Sequence, residues 1–348
     1  MRKFIVAVVF FFGVVFLLTN LAQVEAVVGT LQRGDWRFLA LALVVQGFWL
    51  VNVAASYRAI YRALGIYEPL ERLFLIAAAA SFVNVVTPSG VVGGVTLFAA
   101  QAKQRGYSPI RVTLAGMINL LFEYAAILIV VVVGLIVLFR RNDLTGAEIF
   151  ATGIVALLAG ALTAILTLGM RSEAALARVL TSTARGVNQI LRPFLRREYL
   201  SEERAHEFAH DAASGLIELR EDFRKDPRTL AWPFALALSN RALLLTVFFL
   251  MFLAFKTPFS PGTLIAGFAM GYLFLIVSPT PAGLGVVEGM LTVTLSTLNV
   301  PLGSAAVITL AYRGFTFWFP LLVGMFALRF LESHPASIVE ANNKLAEP

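Results

Sequence analysis

No cysteine occurs in the 348 residues, which excludes disulfides, thiol nucleophiles, iron–sulfur clusters and Cys-ligated zinc. Charge is also scarce. Charged residues make up 14% of the chain and hydrophobic ones 59%, where a soluble domain carries about 25% and about 45 to 50%. The scarcity is uneven, since 21 of the 49 Asp, Glu, Lys and Arg residues fall within 171–228. The other 290 residues share 28 charges, too few for a water-soluble skin, and read as membrane-embedded. Nucleotide loops are missing as well. Gly93-Gly94 belongs to no G-x-G-x-x-G or Walker A pattern, so no ATP-driven pump and no cofactor is implied. The net charge of +7 comes from basic residues that cap apolar runs, the positive-inside pattern rather than a nucleic-acid footprint.

What the chain has instead is length in apolar runs. The first follows Met1-Arg2-Lys3 and extends from Phe4 to Leu21, about 27 Å of helix at about 1.5 Å per residue. It reads as a retained first span starting in the cytoplasm, the alternative being a signal peptide cut near Val24-Glu25-Ala26. Uninterrupted spans are also expected at 38–56, 112–139, 149–170, 230–255 and 302–328, each of bilayer length. Six full spans place both termini on one side, the cytoplasmic side of the inner membrane. Two further regions, 70–102 and 264–298, are broken by Thr87-Pro88-Ser89-Gly90 and by Ser278-Pro279-Thr280-Pro281-Ala282-Gly283. Such breaks free backbone groups that hydrocarbon cannot satisfy, so they survive only inside protein or beside a wet cavity. Each region reads as a re-entrant pair of half-helices, with a simple Pro-kinked helix as the alternative. Arg58, Arg62 and Arg72 before the first break and Lys103, Arg105 and Arg111 after it put both ends of that hairpin in the cytoplasm. The second, flanked only by Lys256 and Arg313, suits the outer face.

Pro88 and Pro281 lie 193 residues apart in matching Thr-Pro-x-Gly breaks, ending at Gly90 and Gly283. Each break follows one span and precedes another. The expected fold is therefore an all-α, polytopic membrane bundle of six spans and two hairpins with an inverted-topology repeat. The chain forms a single membrane domain, 1–348, with repeats at 38–139 and 230–328 and a charged linker at 171–228. Arg171, Arg178, Arg185 and Arg192 recur every seven residues in the linker, one stripe of an amphipathic helix lying on the cytoplasmic surface or packed on its own domain.

Two constellations carry potential chemistry. His206-Glu207-Phe208-Ala209-His210 fits H-E-x-x-H, which puts two imidazoles and a general base on one helix face. Ala213 and Leu216 stand where the metzincin continuation needs Gly and His, and a chance match in a charged helix explains the pattern better than a zinc protease. The second constellation is Glu123, Arg241, Glu288 and Arg313, all inside apolar segments, where each charge costs about 2.5 to 3.5 kcal/mol. They are expected to face inward and pair, either as plain interhelical ion pairs or as the wall of a cavity for an anionic group, since Arg suits bidentate phosphate or carboxylate. In the second case Glu288 holds one Arg and the other stays open to phosphate. Asn84, Asn119 and Asn240 add amides beside the breaks, and Gly285 follows the second.

The run Ser278-Pro-Thr-Pro-Ala-Gly-Leu-Gly-Val-Val-Glu288, with Ala311-Tyr-Arg313 and the final span, resembles the C-terminal signature of the lysylphosphatidylglycerol synthase transmembrane-region family. Those are flippase-like membrane proteins. The match is most specific at Pro281, Gly283, Gly285, Glu288 and Arg313, and Ala282 replaces a more usual Gly. The resemblance implies the lipid-translocating half without the soluble aminoacyl-transfer domain. Together these features point to a non-enzymatic protein that flips or binds membrane lipids with an anionic headgroup, with a homo-oligomer left open. A non-transporting scaffold for lipid or glycan assembly is the other competing class.

Overall fold

The computed structural model describes residues 21–86, 91–141, 146–172, isolated positions between 174 and 221, 224–278 and 280–333. Among them are eleven α-helices and no strand, as expected where the backbone must satisfy its own hydrogen bonds. They are α1 (Leu21–Leu31), α2 (Trp36–Ala63), α3 (Leu70–Val86), α4 (Val91–Gln104), α5 (Pro109–Arg141), α6 (Gly146–Arg171), α7 (Arg228–Ala254), α8 (Pro261–Val277), α9 (Val286–Thr297), α10 (Leu302–Arg313) and α11 (Phe319–Ser333). A π-helical turn, Gly314–Trp318, joins α10 to α11 without interrupting the rod. Starts are capped where the sequence supplies an oxygen. Asp35 accepts from the Arg37 N–H at 3.0 Å, and Ser260 accepts from the Thr263 N–H at 3.1 Å with Pro261 at the first helical position.

Five of the described helical rods are long and apolar enough to cross a membrane: α2, α5, α6, α7 and the continuous α10–α11. They coincide with five of the six expected spans. The sixth, 4–21, lies outside the described residues except for Leu21, as do most of the linker and its amphipathic stripe. Phe150, Leu157 and Phe326 remain exposed on the rods, as apolar side chains facing acyl chains would be.

α3–α4 and α8–α9 are helical hairpins, each with both outer ends at one end of the bundle. The Arg72 Nη2 donates to Gln101 Oε1 at 3.0 Å and the Tyr107 hydroxyl to the Tyr67 carbonyl at 2.8 Å, which closes the first hairpin. Thr263 Oγ1 donates to the Leu298 carbonyl at 3.5 Å and closes the second. The two enter from opposite ends. Arg141, at the far end of α5, reaches Ser260 at 2.7 Å, and the Asp35 N–H donates to the Ala254 carbonyl at 2.9 Å, so α2 and α5 start and finish on opposite sides between the hairpins.

Packing follows the same plan. α2 packs along α7, α3 along α11, and α8 along α5. The last two seams are made by glycine. A Cβ on Gly324 would lie 2.3 Å from the Ala78 carbonyl oxygen, and one on Gly134 would lie 2.5 Å from the Ala269 Cβ. Small residues let backbones approach in lipid, where van der Waals contact rather than water exclusion holds helices together.

Candidate functional site: two buried ion pairs and a cavity beside the first hairpin

The second break is a 3-10 turn, Pro281–Gly283, followed by α9. Ala282, Gly283 and Gly285 have φ of 50°, 72° and 78°. The turn therefore uses left-handed backbone three times in four residues, one of them carrying a side chain. Glu288 is the third residue of α9, and its Oε2 accepts from the Gly285 N–H at 2.7 Å, which places the carboxylate at the positive end of the half-helix. Its Oε1 accepts from Arg313 Nε at 2.7 Å, and Arg313 Nη2 donates to the Ala282 carbonyl at 2.8 Å. The guanidinium lies 4.6 Å from the Phe317 ring centroid. The π-helical turn starts at the next residue, and such bulges often mark functional positions in helices. Pro281, Gly283, Gly285, Glu288 and Arg313 thus form one unit, in which a single arginine ties the free carbonyl of the break to the acid that caps the helix after it.

The second pair joins distant segments. Arg241 on α7 is ion-paired with Glu123 on α5 and lies 4.6 Å from the Tyr272 ring centroid on α8. Asn240 Nδ2 donates to Glu123 Oε1 at 3.0 Å, and Asn52 Nδ2 donates to Asn240 Oδ1 at 2.7 Å and to Ser239 Oγ at 2.8 Å. The result is a partly buried polar ladder, Asn52, Asn240, Glu123, Arg241, across α2, α7 and α5. Four charges inside the bundle are arranged as two neutral pairs. The expectation that one arginine stays open to phosphate is corrected here: both have an acid partner, because leaving a cation unpaired at that depth costs more than pairing gives up.

Beside Glu123, helices α2 to α5 enclose a cavity of about 280 Å³. Its polar lining includes Tyr57, Ser81, Asn84, Asn119 and Glu123, and the rest is largely apolar, with Trp49, Phe98 and Met117. Asn84 also holds the two arms together, its Oδ1 accepting from the Gly94 N–H at 2.7 Å. A Cβ on Gly94 would sit 2.5 Å from that oxygen, so only glycine allows the contact. Asn84, Asn119 and Glu123 therefore meet at one space, whereas Arg241, Asn240, Arg313 and Glu288 lie outside it. Pro88 and Gly90, at the tip of this hairpin, lie outside the described residues, and so do His206, Glu207 and His210.

Three participants escape a reading of charges and breaks: Asn52, Tyr272 and the Ala282 carbonyl. Asn52 had a signal, being an amide inside an apolar run. Tyr272 and the carbonyl had none, because a tyrosine in a span and a backbone oxygen become recognisable only once Arg241 and Arg313 are seen against them.

A helical bundle with broken hairpins from both ends, five rods of membrane length and interior charges held in ion pairs is a polytopic integral membrane protein. The family model for the lysylphosphatidylglycerol synthase TM region matches residues 4–324, and the chain belongs to that family. A search of curated proteins found no match.

Proposed function

We propose that the protein binds lipids with a polar, phosphate-bearing headgroup and moves that headgroup across the bilayer, both termini lying in the cytoplasm. The observation that carries this reading is the cavity beside the first hairpin. It is a space between helices α2 to α5 whose wall combines amides, hydroxyls and a carboxylate with aromatic and aliphatic groups. That mixture suits a molecule with a polar head and a greasy body. With Arg241 and Arg313 both neutralised by acids, the interior offers hydrogen bonds rather than net charge, so an anionic headgroup crosses as a hydrogen-bonded guest.

An inverted repeat of 38–139 and 230–328 supports alternating access in this proposal. The α3–α11 and α8–α5 seams exchange equivalent elements between the halves. Their glycines, Gly134 and Gly324, are 190 residues apart and their alanines, Ala78 and Ala269, 191 apart, against 193 for the two Thr-Pro breaks. Hairpins related in this way place a binding space near the midplane.

A static scaffold for lipid or glycan assembly is favoured by one feature, the pairing of Arg241 with Glu123 and of Arg313 with Glu288. Reconstitution separates the two. Purified protein in liposomes with labelled phospholipids should equilibrate headgroup accessibility between leaflets, whereas bound lipid without exchange supports the scaffold. We assign no catalysis to His206, Glu207 and His210. Purified protein should carry no stoichiometric zinc, and metal lost in a His206→Ala, His210→Ala variant would promote the protease alternative.

A further inference from the structure

At the end of the bundle that holds the 64–69 and 105–108 loops, the last turns of α2 and the first turns of α7 leave an open groove of about 550 Å³. Its charged lining is Arg58 and Arg62 from α2, and Lys225, Asp226 and Arg228 from α7 and the residues before it. The spacing explains the shared face: Arg58 and Arg62 are four apart on a helix, and Arg228 opens α7, where the exposed N–H groups add positive potential. The carboxylate of Asp226 is turned to the helix start, accepting from the Arg228 N–H at 2.9 Å. Among the described residues no ion pair engages Arg58, Arg62 or Arg228, and the Nε of Arg58 is buried without a hydrogen-bond partner. Three guanidinium groups without an ion-pair partner thus line the groove, and its one carboxylate is turned to the start of α7.

The groove sits where a membrane surface would run. Trp232, 61% exposed, lines it one turn into α7, and indole rings collect at the headgroup level of bilayers. Below the groove the α2–α7 seam continues inward. Asn52 lies six residues before Arg58 and Ser239 six after Pro233, about 9 Å of helix in each case, so the groove is the mouth of the seam that leads to the Asn52–Asn240–Glu123 ladder.

We infer that this groove is a binding site for the phosphate of an anionic phospholipid, holding the headgroup at the surface before it reaches the neutral interior. The inference deepens the transport reading and rests on it for the phrase "before it reaches"; the binding site itself does not. Guanidinium groups suit the lipid phosphate diester, which offers two free oxygens, and Trp232 packs against the glycerol backbone and upper acyl chain. A free phosphate ion shares the headgroup chemistry but makes no use of the indole.

The test uses the full chain in nanodiscs. Phosphatidylglycerol and phosphatidylcholine are titrated by native mass spectrometry, with inorganic phosphate as competitor. The parent should prefer phosphatidylglycerol. An Arg58→Gln, Arg62→Gln, Arg228→Gln variant should lose on the order of 100-fold in phosphatidylglycerol affinity, about 1 kcal/mol per basic residue near a surface, and less for phosphatidylcholine, whose choline offsets the attraction of its phosphate to the cluster, so the preference shrinks. Trp232→Ala should weaken lipid binding and leave phosphate ion binding alone. A variant with the parent's thermal midpoint and the parent's lipid preference overturns the inference, as does a parent that binds inorganic phosphate in preference to the lipid. Liposome exchange measured in parallel keeps the two readings apart. Loss of preference together with slowed exchange supports both, and lost preference with parental exchange overturns the groove's place on the path. Groove binding in a protein that exchanges no lipid supports the site and overturns the transport reading.

Discussion

Arg313 holds Glu288 through its Nε and the Ala282 carbonyl through its Nη2, at 2.7 and 2.8 Å, so one guanidinium fixes both sides of the second helix break. Each contact alone is replaceable. Together they require a planar fork with two donors in fixed relation, which an ammonium group does not supply.

Arg313→Lys should therefore keep the charge and lose the geometry. Thermal stability in detergent should fall by about 1.5 to 3 kcal/mol, the range for hydrogen bonds to charged groups. Arg313→Ala should cost about 3 to 5 kcal/mol, because Glu288 is left without its cation. Equal midpoints for the parent and the Lys variant would show that only the charge matters.

The turn itself makes a paired prediction. Gly283 has φ of 72° and a Cβ there would meet Val287 Cγ2 at 2.4 Å, so Gly283→Ala should destabilise by more than about 1 kcal/mol. Ala282 already sits at φ of 50° with a side chain. Ala282→Gly relieves that strain, offset by the extra freedom of glycine in the unfolded chain, and should leave stability unchanged or raised by up to about 1 kcal/mol. Melting curves of the two variants should move in different directions or by clearly different amounts.

How much of this was legible in the sequence depends on distance along the chain. The spans, both breaks and the four interior charges are local signals, written in runs of apolar residues and in the cost of a charge within them. The pairing Glu288 with Arg313 was also readable, because a half-helix and the following span are neighbours. Glu123 with Arg241 was readable only as a need for partners. Those residues come from spans separated by the whole linker, and the choice of partner depends on how α5, α7 and α8 assemble. The open guanidinium expected for phosphate differs from the structure for the same reason: the sequence marks Glu123 as an interior acid but not the helix it faces. The basic groove is not legible either, because Arg58 and Arg62 read as charges flanking a span and nothing local shows that Arg228 folds against them.

The interior ladder can be tested by removing charge in steps. Glu123→Gln keeps an acceptor for Asn240 and strands Arg241, and should cost about 3 to 5 kcal/mol. Glu123→Gln with Arg241→Gln should recover much of that loss, since no buried charge remains. If the polar lining of the cavity rather than the ion pair supports translocation, the double variant also recovers lipid exchange in liposomes. A folded double variant without exchange would assign the pair a direct part in the headgroup's passage.

Glu68 provides a pH handle outside the spans. It lies between α2 and α3, buried, with Arg105 Nε at 3.3 Å from its Oε1. Burial pushes its carboxyl above the ordinary value of 4.5, while Arg105 and Arg72 pull it down and do not fully offset the burial. The folded state therefore favours the protonated acid more than the unfolded chain does. Its contribution is fully present below the unfolded carboxyl range and is lost as pH rises through the folded value. Glu68→Gln should flatten that part of the stability curve and match or exceed the parent above it. A parent whose stability instead climbs with pH through the carboxyl range, with the slope removed by Glu68→Gln, would mean that the two arginines outweigh burial.

Sidedness gives the most direct test of the architecture, because the absence of cysteine makes any introduced thiol the only one. Gln104 ends α4, and Ser108 precedes α5. Both belong to the end where Tyr107 meets Tyr67 and Arg72 meets Gln101. Ser260 precedes α8, and Asn299 follows α9, at the end where Arg141 meets Ser260 and Thr263 meets Leu298. By the positive-inside rule, the excess of Lys and Arg around the first pair of sites predicts that this end faces the cytoplasm. Single cysteines at Gln104 and Ser108 should then react with an impermeant maleimide only in inverted vesicles or broken cells, and those at Ser260 and Asn299 in intact cells. A hairpin that instead crossed the membrane once would place the residues before it and after it on opposite sides. A second cysteine series at Tyr67 and Lys256 therefore brackets each hairpin, and each bracket should label from one side. Labelling of Tyr67 and Gln104 from opposite sides would mean that α3–α4 crosses as a kinked span. The opposed hairpins, and the inverted repeat proposed from them, would then be wrong.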